Sequence, residues 1–231
     1  MIKIIEVDPG KHPKIIPVGE SALLIRVGDA LSPEVNARVH ALDAKLSESP
    51  LTGVREWVPA FASILLIFDR LVIESSKVRA WVQRCFDNSG STFTCTPKRV
   101  TIPVHYGGKN GPDLAFVAEF HHLSPEEVVQ RHTAPIYKVG MMGFTPGFAY
   151  LLGLNPGLAT PRLATPRTHV PAGSVGIAGG QTGIYPLDSP GGWQLIGRTD
   201  VALFNPNRAP YFLLSPGDEV QFTPVNQGGS A

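Results

Sequence analysis

The chain has 231 residues, a net charge of +1 and 43% hydrophobic residues, which allows one large domain or two small ones around a substantial core. This near-neutral balance lacks the basic footprint of nucleic-acid or anionic-membrane binding, and no apolar run reaches the roughly 20 residues that span a bilayer. Charged residues make up 17%, below the usual share of about 25%, which hints at a surface covered by a partner.

Ala22 to Val27 is an apolar run that predicts a strand. Ser32-Pro33-Glu34 opens a helix, with Ser32 as N-cap and proline in the first turn. Val35, Val39, Leu42 and Leu46 then fall on one helical stripe. Val54 to Val58 and Ser63 to Phe68 predict two strands joined by a turn at Pro59, and Val78, Trp81, Val82 and Cys85 repeat the helical spacing. Arg99 to Val104 predicts a further strand. The order β-α-β-β-α-β is that of a ferredoxin-like split βαβ, with the alternative that its last strand belongs to the second half of the chain. Asp87 to Pro97 is polar and rich in Ser and Thr. It sets the boundary between an α/β domain over residues 1–92 and a second domain over 93–231.

Beyond the boundary, Asp113 to Phe120 reads as a helix, and Ser124-Pro125-Glu126-Glu127 fits a capping box opening another. From Ile136 onward only short strands are expected, at Val175–Ala178, Gln194–Ile196, Tyr211–Leu214 and Val220–Val225, separated by Gly/Pro turns. Short strands with strong turn chemistry predict a closed or nearly closed β-barrel, so the whole chain reads as α+β. Gln227 to Ala231 reads as a frayed tail. The N-terminus shows no signal-peptide pattern, so a cytoplasmic protein is expected. The two cysteines, Cys85 and Cys95, form no Cys-x-x-Cys or Cys/His cluster, so no metal site is expected. Cys85, on a predicted helix, reads as a small buried hydrophobe.

The stretch from Gly140 to Gly197 holds 13 of the 24 glycines and seven of the 22 prolines, with Asp188 as its sole acid. Interleaved Phe, Tyr, Trp, Val and Ile argue for rigid, specifically bent loops rather than a linker, because linkers lack residues worth burying. The tandem Leu-Ala-Thr-Pro-Arg units place Arg162 and Arg167 on backbone stiffened by proline. Arginine recognises carboxylate or phosphate through a fixed fork. One reading gives them an anion-binding role, the other leaves them as loop solvation. Gln181 and Gln194 can recognise an amide or satisfy barrel backbone.

Ala172-Gly173-Ser174-Val175-Gly176 resembles a nucleophile elbow, but strand-like residues follow where an elbow needs a helix. Ser174 therefore reads as a ligand-orienting hydroxyl. Phe144, Pro146, Gly147, Phe148, Tyr150, Tyr185, Gly192 and Trp193 are read as pocket or subunit-interface residues. Tyr106 to Asp113 carries no phosphate-loop signature, and reads as a tight turn capped by Asp113 in preference to an anion site. His132, with no carboxylate partner in its sequence neighbourhood, reads as structural, and His105 and His169 are similar cases.

Taken together, these motifs resemble the family variously called 5-oxoprolinase B subunits, KipI-type kinase inhibitors and allophanate hydrolase subunit 1, which also forms part of the carboxyltransferase domain of urea amidolyase. The resemblance is carried by Tyr106-Gly107-Gly108 with Gly111-Pro112-Asp113-Leu114, Gly143-Phe144 with Pro146 to Leu151, and the Pro161-Arg162 and Thr165-Pro166-Arg167 pairs. It continues through Val170 to Val175, Gln181 to Pro186, Ser189 to Trp193 and Ile196 to Thr199, and is weaker over the first ninety residues. One departure is His121-His122-Leu123, where the family pattern leads one to expect a Gly-Leu pair.

The resemblance implies a small α/β N-terminal domain and a cyclophilin-like barrel. It further implies one component of an ATP-dependent 5-oxoprolinase, which opens 5-oxo-L-proline to L-glutamate together with its C and A subunits. ATP, as Mg-ATP, would be shared with a partner chain, and Arg162, Arg167, Ser174 and Gln181 would meet the anionic substrate or nucleotide. Two alternatives stand beside this: a KipI-type inhibitor of a sensor histidine kinase, and half of a biotin-dependent carboxyltransferase of the allophanate or urea type.

Overall fold

The computed structural model describes residues 13–29, 32–89 and 97–225. It divides into two compact units, residues 1–96 and 97–231. Cys95, most of the polar stretch at the boundary and the C-terminal tail lie outside the described residues.

The first unit is a four-stranded antiparallel sheet with two helices. A hairpin of β1 (Lys14–Val18) and β2 (Ala22–Arg26) is followed by α1 (Pro33–Glu48), β3 (Val54–Pro59), β4 (Ser63–Phe68) and α2 (Ser75–Asp87). The sheet order is β1-β2-β4-β3, so β4 lies between the two strands that α1 connects. That is a split βαβ. The expected sixth element, Arg99–Val104, does not join this sheet. The edge beside β2 is taken instead by β1, a strand that the sequence pattern does not announce.

Ser32 caps α1 by accepting from the Val35 amide, with Pro33 in the first turn. Val39, Leu42 and Leu46 bury one face of that helix, and Val78, Trp81, Val82 and Cys85 bury the facing stripe of α2. Both meet Leu23, Ile25, Ile64, Leu66 and Phe68 from the sheet. The indole N–H groups of Trp57 and Trp81, which burial would otherwise leave unpaired, donate to Asp43 and to the Ser49 carbonyl.

The second unit opens with β5 (Arg99–Tyr106), α3 (Leu114–Phe120) and α4 (Pro125–Thr133). Ser124 and Glu127 close the expected capping box on α4. His122, at the end of α3, takes φ 55, the left-handed position where helices usually end on glycine. This is one of the two places, with Gly140-Met141-Met142, at which the sequence departs from the pattern it resembles.

The chain continues with β6 (Tyr137–Met142), β7 (Ala149–Leu152), β8 (Arg167–Val170), β9 (Ser174–Ala178), β10 (Gln181–Ile184), β11 (Ser189–Gly191), β12 (Gln194–Arg198) and β13 (Glu219–Pro224). Seven strands of this unit close a barrel in the order β10-β7-β6-β13-β5-β12-β9, while β8 and β11 form a separate two-stranded ribbon. β13 runs parallel to β5, pairing Glu219 with Arg99 through to Pro224 with Val104. Tyr211–Leu214 is not a strand of the barrel. Its strand-like pairing is an isolated bridge, Phe204 to Phe212, flanked by hydrogen bonds from the Leu213 amide to the Leu203 carbonyl and from the Asn205 amide to the Tyr211 carbonyl.

Ile102, Val104, Val139, Leu151, Val175, Ile177, Ile184, Ile196, Val220 and Phe222 fill the barrel, and α3 and α4 add Val117 and Val128. Gly111, in the turn before α3, lies so near strand β12 that a Cβ there would sit 2.0 Å from the Ile196 carbonyl oxygen. Among the described residues no helix is long and apolar enough to cross a membrane.

Candidate functional site

A separate aromatic cluster lies on the barrel's outer side. It consists of Phe148, Val170, Ala178, Tyr185, Trp193 and Leu195, with Tyr150 half-buried against them. Phe148 stands edge-on to Tyr185 at 5.2 Å and to Trp193 at 5.5 Å between ring centroids. Tyr150 tilts against both Phe148 and Trp193. Edge-to-face pairs of this kind add about 1 kcal/mol each beyond simple burial, so the walls are stiff.

Glycine makes the packing possible. A Cβ on Gly191 would lie 2.4 Å from the Tyr185 hydroxyl, so a larger residue there would push that ring out of place. The rings enclose a cavity of about 270 Å³, lined by Phe144, Phe148, Tyr150, Tyr185 and Trp193, with Pro166, Pro190, Gly191, Gly192 and Arg162 at its rim.

Arg162 is exposed, and among the described residues no carboxylate pairs with it. Its backbone is nevertheless clamped on both sides. Gln194 Nε2 donates to the Pro161 carbonyl at 2.9 Å, and the Leu163 amide donates to the Gly192 carbonyl at 2.7 Å. Burial raises the Tyr150 and Tyr185 hydroxyl pKa values, against the pull of the Arg162 charge on both. Both phenols therefore stay protonated. The cavity thus offers an apolar, flat-walled interior, neutral hydroxyls and a cation carried on a clamped backbone.

The two arginines of the tandem repeat have different fates. Arg167 is half-buried, and its guanidinium binds Asp113 at 2.7 Å and the Trp193 carbonyl at 3.3 Å. The second Asp113 oxygen accepts from the Leu195 amide at 2.6 Å. Asp113 makes no side-chain cap on α3. The expectation of a turn capped by this carboxylate is corrected: its oxygens are committed to Arg167 and to β12. In the same turn the amides of Gly107, Asn110, Gly111 and Asp113 are committed to backbone carbonyls, so the turn does not offer them to an anion.

Ser174 lies buried at the start of β9 and donates to the Pro171 carbonyl at 2.7 Å. It does not line the cavity, and a strand rather than a helix follows it. Gln181 begins β10, also outside the cavity, and its Nε2 has no hydrogen-bond partner. Pro146 and Gly147 line a second, larger cavity of about 550 Å³, shared with Phe144. His132, on α4, is fully buried and hydrogen-bonded to Tyr106 and Thr182. His105 and His169 lie 3.4 and 3.9 Å from Asp200 and Asp188. Among the described residues no group of three His, Cys, Asp or Glu gathers to hold a metal.

Sequence reasoning missed Pro166, Pro190 and Gly191 as rim residues and Asp113 as the anchor of Arg167. Pro190 and Gly191 stand in the same Ser-Pro-Gly-Gly-Trp run as Gly192 and Trp193, which was signal enough. Asp113 stands 54 residues before its partner, and no local pattern connects them.

Comparison with known proteins agrees with this architecture. The family "Carboxyltransferase domain, subdomain C and D" matches residues 13–214. The 5-oxoprolinase B subunit of Bacillus subtilis is 42% identical over 224 residues, covering 93% of this chain and 93% of its own. The protein of the same name from Haemophilus influenzae is 44% identical over 208 residues, covering 90% of this chain and 96% of its own. The solved structure of TTHA0988 superposes with a TM-score of 0.78 at 39% identity, covering 88% of this chain and 39% of that longer one. A match that spans nearly the whole chain, with relatives above 40% identity over nine-tenths of it, shows that this protein belongs to the family of the carboxyltransferase domain, subdomains C and D.

Proposed function

We propose that this chain is the B subunit of a cytoplasmic, ATP-dependent 5-oxoprolinase, acting with the C and A subunits of that enzyme to open 5-oxo-L-proline to L-glutamate. The observation that carries the reading is the aromatic cavity with Arg162 clamped at its rim. A five-membered lactam is compact and nearly flat, and its ring faces and methylene edge suit ring-lined walls, while its amide and carboxylate need polar partners. Its carboxylate needs a cation held in place before binding, so that little order is lost on association. The names of the Bacillus and Haemophilus relatives support the same reading.

The chain's own residues bind and orient in this scheme. Arg162 takes the carboxylate through its guanidinium N–H groups. Phe148, Tyr150, Tyr185 and Trp193 hold the ring and keep water from its faces, which strengthens every polar contact inside. The protonated phenol of Tyr185, which accepts from the Trp193 backbone, can donate to a lactam oxygen. Hydrolysis adds water to the ring carbonyl and breaks its C–N bond, freeing the amine of glutamate. A lactam is a stable amide, and in such an enzyme ATP supplies the driving force. The cavity rim has one unpaired guanidinium, and four amides of the turn before α3 are committed to backbone carbonyls, so these residues by themselves do not fit a triphosphate. The nucleotide site in this reading is shared with a partner chain.

The test is Arg162→Ala in the assembled enzyme. A charged hydrogen bond contributes about 1.5–3 kcal/mol, so KM for 5-oxoproline should rise roughly ten- to a hundredfold at unchanged thermal stability. Unaltered kinetics would remove Arg162 from the site. No 5-oxoproline-dependent ATP hydrolysis in any mixture of folded subunits would instead favour the kinase-inhibitor reading.

A further inference from the structure

We infer that Phe144 is a specificity-determining residue, whose ring is the partition that keeps the aromatic cavity small enough to select a single five-membered ring. The inference rests on the reading of that cavity as the 5-oxoproline site, and names what limits the size of its substrate.

Phe144 is the residue common to two cavities. On one side it completes the aromatic cavity of about 270 Å³. On the other it lines the cavity of about 550 Å³ walled by Met142, Pro146, Phe212, Leu214 and Pro216. Its ring stands edge-on to Phe148 at 5.5 Å and to Tyr185 at 6.3 Å, two walls of the smaller space.

The position is an expensive one for a phenylalanine. Its φ is 71, in the left-handed region that glycine enters freely and residues with a Cβ enter at a cost. The ring is 59% exposed, so burial offsets little of that cost. The loop fixes the direction of the ring: the Gly143 amide donates to the Phe148 carbonyl and the Phe148 amide to the Thr145 carbonyl. Strain of this kind persists where the surroundings hold it and gathers at functional sites. What the ring does at this place is separate two spaces. With it, a ligand held by Arg162 meets an edge after one small ring. Without it, the aromatic cavity opens into an apolar neighbour and loses one of its walls.

Phe144→Gly and Phe144→Leu in the assembled enzyme test this. Glycine relieves the backbone and removes the wall; leucine keeps the strain and leaves a narrower wall. KM for 5-oxoproline is expected to rise at least tenfold in Phe144→Gly and by less in Phe144→Leu, with little change in kcat. The melting temperature of the glycine variant should equal or exceed that of the unsubstituted chain. A phenyl-substituted 5-oxoproline should compete with substrate in the glycine variant and not in the unsubstituted enzyme. A KM within twofold of the unsubstituted value in both variants, with the phenyl-substituted lactam excluded throughout, would overturn the partition while leaving the 5-oxoproline reading intact. Absence of 5-oxoproline turnover in the unsubstituted assembly would overturn both.

Discussion

His132 is a neutral imidazole locked in a fully buried site, and the protons around it can be placed. The Thr182 hydroxyl donates to the Gly176 carbonyl at 2.9 Å, so toward His132 Nε2, also 2.9 Å away, it can only accept. The Nε2 therefore carries the hydrogen, and Nδ1 accepts from the Tyr106 hydroxyl at 2.8 Å. Tyr137 closes the arrangement by donating to the His132 carbonyl. A second ring proton would meet a hydroxyl whose pKa burial already pushes far up, in a site fully removed from water. Burial accordingly pushes the His132 pKa from 6.5 down to about 3. In the unfolded chain the group protonates near 6.5, so below that pH the unfolded state binds the extra proton. The contribution to stability is fully present above pH 6.5 and is lost as the pH falls toward 3. At about 1.4 kcal/mol per pH unit, roughly 3 kcal/mol should be gone by about pH 4.5. His132→Gln is expected to be less stable at neutral pH, because it cannot reproduce the network. Between about pH 6.5 and 4.5 it should also lose about 3 kcal/mol less than the unsubstituted protein. Urea unfolding at several pH values measures this, and parallel stability curves for the two proteins would contradict it.

Asp113 ties three elements together: the start of α3 that carries it, the ribbon strand β8 through Arg167, and β12 through the Leu195 amide. Two of those elements flank Trp193, so the carboxylate holds the cavity's wall without touching a ligand. Its side chain is 13% exposed and that of Arg167 28%, a partly buried pair whose breaking leaves a guanidinium and an amide unpaired. Asp113→Ala should cost about 2–3 kcal/mol in urea unfolding, after allowance for solvent reaching Arg167. A loss below about 0.5 kcal/mol, the ordinary range of surface substitutions, would show that the pair is ornamental. Such a link is invisible in the sequence, whereas the elements it joins were partly legible. The stripes of α1 and α2 follow a period of 3.6, and the capping box of α4 is a local Ser-x-x-Glu signature, so both could be read directly. β9 is buried at every position, so it shows no alternation, and its β-branched residues alone revealed it. β7 and β10 are four residues long and sit among glycines, too short for any period to emerge. Tyr211–Leu214 has the composition of a strand, but Tyr211 and Phe212 are exposed and no neighbouring strand pairs along it. The pocket aromatics were legible because rings set among glycines and prolines have few other uses. That Arg167 would be neutralised was not, since the acid lies outside the Gly/Pro-rich stretch.

The two units are held by separate cores. The first unit is built on an open four-stranded sheet and the second on a closed barrel, and each hydrophobic cluster is drawn from one unit alone. β13 completes the barrel by pairing with β5, the strand that opens the unit, so residues 97–231 hold both ends of their own closure. Their length lies within the usual domain range of about 50–250 residues. The aromatic cavity, Arg162, Asp113 and the His132 network all belong to this unit. Residues 97–231 expressed alone should therefore unfold in a single cooperative transition, and should keep the loss of stability below about pH 6.5 that His132 confers. The pH profile matters more than the melt itself, because a collapsed but loosely packed barrel would retain strands and still let water reach the imidazole. A fragment that melts without cooperativity, or whose His132 titrates near 6.5 by NMR, would show that the barrel needs the first unit to pack, and that the site is a property of the whole chain.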